Sequence, residues 1–379
     1  MALSKDIYGS VGVPRVYIDY HSFADAMGYV QEYEGHQVDS KADKGFAFGL
    51  NPSRTIEYTI DTAESDSQTI AFAARYKNWN DSTTNLPDSN PQFSRFMGTA
   101  NYFGLLGHNL ASLSSPSVAH IRMRMYNYIL GTLVDPNTSD TDMVVSSIVG
   151  DTHNLGNELG YSLYEIETPF DIDVCGSVSA WIWFDSAPVP QWSTFNLGSF
   201  TFGRYLDLPR ANLSVNTTQS YSGITQQRTI GGDLITNINH HQSPNWGDLA
   251  PFTHIDTTNY NSVEEAMQSE DYRAVRRGGR RVYDLSFSFI SKENMFPKNF
   301  EGNMSGDYEY GDGGWTWDQD DNIVGTWLNY SLGGRLRFLF QPDNTKQDFF
   351  IAHIKDKSIK ITQQAPELYG FKCTIEEVW

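Results

Sequence analysis

The densest reactive chemistry in this 379-residue sequence lies in the stretch DYRAVRRGGRRVYDLSFSFI, Asp271 to Ile290. Five arginines, Arg273, Arg276, Arg277, Arg280 and Arg281, crowd around Gly278-Gly279. A guanidinium forms bidentate pairs with carboxylates and suits interface ion pairs better than an ammonium does. Two readings follow. The arginines form an interface that meets acidic faces of neighbouring copies, or they pair within the chain with the acid-rich loop 307–321.

Other reactive residues give weaker patterns. Asp318, Asp320 and Asn322 fall at positions 1, 3 and 5 of a calcium loop. Position 6 is Ile323 rather than Gly, and position 12 is Asn329 rather than a bidentate Glu. They are weak calcium candidates, and the expectation is no cofactor and no metal. His240-His241 lacks the spacing of helical zinc ligands. Gly302-Asn303-Met304-Ser305-Gly306 places Met304 where a nucleophile elbow needs Ser. No phosphate-binding loop occurs, so the chain reads as a non-enzyme. Trp315 and Trp317, with His108 and Asn109 in the turn of LGHNL, are candidate carbohydrate contacts. An indole can stack on a sugar, but tryptophan at strand spacing more often fills a core. His108 and Asn109 could equally bond the turn backbone and hold it shut.

The composition sets 46 acidic residues against 27 basic ones, a formal charge of −19. Such a surface disfavours nucleic-acid binding, which needs phosphates neutralised, and suits a basic partner or bound cations. Two cysteines give no disulfide framework, and Cys373 reads as a small core residue. No apolar run is long enough to span a membrane, and the first residues do not read as a signal peptide.

Strand periods position these residues. Tyr283, Leu285, Phe287 and Phe289 alternate with Asp284, Ser286 and Ser288, the period of a half-buried strand, so this face is expected to pack a core. Further strands are read at 15–20, 55–60, 101–106, 120–125, 178–185, 199–206, 335–340, 349–354 and 371–378, with one more at 358–362. Residues 23–27 read as one or two helical turns ending at Gly28, and 263–274 is the best helix. Residues 213–251 read as polar, with turns at Gly231-Gly232 and at 244–247. The expected fold class is mainly β: a jelly-roll-like β-sandwich over 40–208, a second antiparallel β domain over 209–379, and few short helices. The arm at 1–39 carries a strand that could join either.

Several segments together resemble structural proteins of tailed bacteriophages, marine ones especially. They are VPRVYIDY (Val13 to Tyr20), NYFGLLGHNLAS (Asn101 to Ser112), FGRYLDLP (Phe202 to Pro209), YSGITQQRTIGGD (Tyr221 to Asp233), GGRRVYDLSFSFI (Gly278 to Ile290) and QQAPELYGFKCTIEEVW (Gln363 to Trp379). The resemblance implies a virion tail component of the distal tail, baseplate or tail-tip ring, made in the host cytoplasm. Its partners would be copies of itself and other phage tail proteins. The middle part also resembles galactose-binding-like jelly rolls, in which an aromatic strand runs into a His-Asn-Leu turn. That implies an alternative, a host-attachment module binding a host surface glycan.

Overall fold

The computed structural model describes residues 12–36, 47–51, 56–59, 68–76, 99–108, 119–127, 132–134, 143–144, 160–171, 175–184, 194–212, 216–220, 224–238, 280–296, 323–345, 349–356 and 358–378. The chain begins with β1 (Arg15–Asp19), α1 (Tyr20–Ala26), β2 (Val30–His36), β3 (Ile56–Thr59) and β4 (Gln68–Tyr76). Then come β5 (Thr99–His108), β6 (Ala119–Asn127), β7 (Thr132–Val134), β8 (Met143–Val144), β9 (Gly160–Asp171) and β10 (Cys175–Phe184). β11 (Thr194–Leu197), β12 (Ser199–Asp207), β13 (Asn216–Ser220), β14 (Ile224–Arg228) and β15 (Leu234–Ile238) follow. The last part holds β16 (Arg280–Ser291), α2 (Lys292–Met295), α3 (Ile323–Tyr330), β17 (Phe338–Gln341), β18 (Phe350–Ile354), β19 (Ile361–Ala365) and β20 (Leu368–Glu377).

The protein is mainly β, with antiparallel sheets and short helices. A ten-stranded sheet runs β13-β16-β20-β18-β17-β1-β12-β5-β9, with β19 added against β20. A six-stranded sheet runs β2-β4-β10-β6-β7, with β8 beside β6. β3 pairs with β11, and β14 pairs with β15.

β1 holds the large sheet together. Arg15 to Asp19 pair with Asp207 to Gly203 of β12, and Arg15 to Tyr17 pair with Gln341 to Leu339 of β17. The N-terminal strand, expected to join one block or the other, therefore joins both. Its side chains alternate between two cores, as the strand period demands. Val16 and Ile18 enter the larger core, and Tyr17 enters a smaller one with Tyr102, Leu106, Leu339, Phe349 and Ile351. At the edge of β1, Arg15 Nε pairs with Asp207 Oδ1 at 2.6 Å and lies over the Tyr205 ring.

The larger core joins the two main sheets. Phe72 on β4 meets Phe200 on β12 at 5.6 Å between ring centroids, and both rings contact Phe48. A polar network is sealed beside it. Asp19 caps α1 by accepting from the Ser22 N–H at 3.1 Å and bonds the Ser22 hydroxyl. Thr201 Oγ1 donates to Asp19 Oδ1 at 3.1 Å, and the Tyr102 hydroxyl donates to the Ile18 carbonyl at 3.0 Å. Gly203 is required where β12 passes β1, because a Cβ there would strike the Ile18 carbonyl oxygen. His21 sits between the hydroxyls of Tyr76 (3.1 Å) and Tyr33 (3.2 Å). These groups are buried and bonded to one another, so the network supports the fold and offers no open site.

The expected strands occur at all ten positions, with shifted ends. The sequence reading missed β2, β4, β7 to β9, β11, β13 to β15 within 213–251, and the helices α2 and α3. The helix expected at 263–274 lies outside the described residues.

β16 carries the main correction. Leu285 and Phe287 are buried and Tyr283 stacks on Phe350, as the alternation predicts. Phe289 does not follow: its side chain is 69% exposed. Between Phe287 and Ile290 the pairing with β20 shifts by a bulge, so Ile290 takes the buried place and Phe289 turns outward.

Candidate functional site

The strand period separates Arg280 from Arg281. Successive residues of β16 point to opposite faces, so the two cannot form one basic surface. Arg281 faces the larger core's side. Its Nε and Nη2 donate to Glu377 Oε2 and Oε1, each at 3.1 Å, and its own N–H donates to Glu377 Oε2 at 2.9 Å. Its guanidinium also lies 4.2 Å from the centre of the Phe350 ring. Glu377 is buried, so the pair is a partly desolvated bidentate clamp that ties β16 to β20. Arg281 is thus committed within the chain, to a glutamate of the last strand; the loop 307–321 lies outside the described residues. Arg273, Arg276 and Arg277 lie outside the described residues.

Arg280 faces the other way, toward the smaller core. Its Nε is buried and has no hydrogen-bond partner. On the same face stand Glu376, paired with Val282 of β16 on one side and His353 of β18 on the other. His353 Nδ1 is also buried without a partner. Burial lowers the His353 pKa and Arg280, Arg337 and Arg335 lower it further, against the pull of Glu376. Arg337 Nη1 donates to the Leu50 carbonyl at 3.0 Å, and burial lowers its pKa too. Glu376 faces Lys355 at 3.6 Å.

Of the expected carbohydrate contacts, His108 alone lies among the described residues. His108 is fully buried at the end of β5, and burial pushes its pKa down to about 3. It cannot touch a surface glycan. Asn109, Trp315 and Trp317 lie outside the described residues, as do the calcium candidates Asp318, Asp320 and Asn322. Among the described residues no three His, Cys, Asp or Glu side chains converge on a metal position. Cys373 is a buried core residue, and burial raises its pKa.

Two exposed features were not anticipated. β14 and β15 form a hairpin that, among the described residues, pairs only with itself, closed by the turn from Thr229 to Asp233. The Asp233 N–H donates to Thr229 Oγ1 at 3.0 Å to hold that turn. Ile230 stands fully exposed at its tip, with Leu234 and Ile235 exposed beside it. The second feature is Phe289. Its N–H donates to Gln364 Oε1 at 3.0 Å, and Gln364 Nε2 donates to Ser288 Oγ at 3.4 Å. Asn212 Nδ2 donates to the same Ser288 hydroxyl at 3.0 Å. Isoleucine and leucine among Thr and Gln gave only a faint strand alternation in the hairpin, and no local signal marks a bulge fixed from 75 residues away.

No family model matches the chain, and no curated protein matches it. Among solved structures, a family 32 carbohydrate-binding module of C. perfringens NanJ in complex with galactose aligns at 6% identity and a TM-score of 0.26, over 50% of this chain and 98% of that one. A second such module, from a C. perfringens family 31 glycoside hydrolase, aligns at 8% identity and 0.24, over 46% of this chain and 96% of that one. At those values the likeness carries no functional argument.

Proposed function

We propose that this protein is a non-catalytic structural subunit of a bacteriophage tail, in a distal tail, baseplate or tail-tip ring, acting by binding copies of itself and adjacent tail proteins. The observation that carries the reading is the β14–β15 hairpin. A two-stranded ribbon is marginal alone in water, and this one exposes Ile230, Leu234 and Ile235. Exposed apolar groups of this kind gain free energy when a neighbour covers them. The segment that forms most of it, YSGITQQRTIGGD, is among those that resemble tail proteins. Electron microscopy and sedimentation of the purified chain test the reading. The expected result is a closed ring or stack that Ile230→Asp with Leu234→Asp disperses. A wild-type chain that stays monomeric at high concentration and joins no virion overturns it.

A second reading, a glycan-binding attachment module, is favoured by Phe289. The exposed ring offers a stacking face, and its backbone N–H is tied into a set of uncharged hydrogen-bonding groups, Gln364, Ser288 and Asn212. Binding to host surface glycans that is lost in Phe289→Ala supports it. Binding that survives the change sets it aside.

A further inference from the structure

Glu376 and His353 sit opposite one another in neighbouring strands, and Arg337 lies beside His353 because Phe338 pairs with Ala352. Arg280 stands two residues before Val282, which pairs with Glu376, so all four side chains share one face of the sheet. Arg335 lies close enough to act on the His353 charge. Among the described residues this row gathers Arg280, Arg335, Arg337 and Lys355 around Glu376, which already faces Lys355, while Asp284, further along the same face, accepts from the Thr374 hydroxyl.

Such a row is anomalous in a chain of formal charge −19. Carboxylates are plentiful, yet Arg280 Nε is taken out of water with no acceptor, and so is His353 Nδ1. Burying a polar group without a partner leaves its desolvation cost unrecovered. Like charges brought together add a Coulombic cost, and burial makes that cost larger. An oxyanion set among these groups removes both costs. Guanidinium groups suit it because their planar forks match carboxylate and phosphate oxygens.

We propose that this face of β16, β18 and the start of β17 is an oxyanion-binding site, in which Arg280 Nε–H and His353 Nδ1–H donate to a carboxylate or phosphate group under the field of Arg335 and Arg337. The site shares no residue with the hairpin and does not depend on the assembly reading. A bound anion also favours the imidazolium, so binding and proton uptake by His353 are coupled; Glu376, Lys355, Arg280, Arg335 and Arg337 are the charged groups that face it.

The test uses the full chain, dilute and at low ionic strength, titrated with inorganic phosphate and separately with acetate. The readouts are the ring resonances of His353 and calorimetry. The expected result is saturable millimolar binding that moves the His353 signals and raises its pKa. Arg280→Gln weakens binding about tenfold or more, the scale of one lost charge-assisted hydrogen bond. Arg335→Gln, at an exposed position that keeps the fold, weakens it by a smaller factor. Sodium chloride at matched ionic strength leaves the signals in place. Sedimentation of the same variants at high concentration separates the sources. Self-association lost together with phosphate binding in Arg280→Gln identifies the oxyanion as a carboxylate of a second copy. Phosphate binding lost alone identifies a free oxyanion. A His353 signal that neither probe moves, or binding equal in the wild type, Arg280→Gln and Arg335→Gln, overturns the proposal.

Discussion

Gln364 reaches across β20 to accept the backbone N–H of Phe289 at 3.0 Å. The path is open because residue 370 is glycine: a Cβ there would lie 2.7 Å from Gln364 Nε2 and 2.8 Å from the Phe287 carbonyl oxygen. The bond holds Phe289 at φ 59°, a left-handed conformation that costs a bulky L-residue about 1–2 kcal/mol. A residue that is both strained and exposed contributes little to the fold it sits in.

Phe289→Gly should therefore stabilise the protein, by roughly 0.5–1 kcal/mol once glycine's larger unfolded-state entropy is subtracted. Gln364→Ala should destabilise it by about 1 kcal/mol by freeing the bulge amide. Urea midpoints of the two variants are expected to move in opposite directions. A Phe289→Gly variant less stable than wild type would show that the ring packs where the structure leaves it exposed.

The Arg281–Glu377 clamp predicts asymmetric mutational costs. Arg281→Met leaves a buried carboxylate without its cation and should cost about 3 kcal/mol or more. The double variant Arg281→Met with Glu377→Met removes both charges and should recover most of that loss. A double-mutant cycle by chemical denaturation measures the difference. Additive costs would mean the two side chains do not interact.

Acid should weaken the fold from neutral pH downward. Burial lowers His21 and His108 to about 3, against 6.5 in the unfolded chain. Above 6.5 both states hold them neutral, and their contribution is fully present. As pH falls below 6.5 the unfolded chain takes up protons the native chain refuses, and stability drops until about 3. The most each can contribute is on the order of 4–5 kcal/mol. Asp19 acts the other way: burial raises its pKa above 3.8, so the native state keeps a proton there that the unfolded chain releases. Two histidines oppose one carboxyl. Denaturation series from pH 7 to pH 5 should show the decline, and His21→Gln should remove one proton's share of the slope.

Phe200→Ala should be among the costliest core changes. The ring is fully buried and touches Phe48, Phe72, Phe103 and Phe202 where the two large sheets meet. A loss of about 3–5 kcal/mol is expected, read from the urea midpoint at an unchanged slope. A loss below about 1 kcal/mol would mean the sheets do not pack through this ring.

Strand periods made much of this fold legible because most core strands are uninterrupted. In β16 the alternation placed Tyr283, Leu285 and Phe287 correctly, then failed at Phe289, where a partner outside the local sequence fixes a bulge. The same alternation holds that Arg280 and Arg281 face opposite sides. Reading Arg280 and Arg281 as parts of one interface overlooked it, and the two arginines have separate surroundings. His108 looked like a turn residue because a Gly precedes it and an Asn follows it. In the fold it ends a buried strand, paired with Gly160 of β9, and its burial is set by segments distant in sequence.

The double pairing of β1 also bears on how the chain folds. Tyr17 hydrogen-bonds Gln341, 324 residues away, and β12 supplies the other side from near residue 200. During synthesis β12 is made first and can close one edge of this strand, whereas the other edge must wait until residue 341 has emerged. Non-local pairing of this kind slows folding and leaves a sticky edge exposed meanwhile. The strand that unites the finished sheet is therefore the segment most in need of protection by a chaperone before it closes.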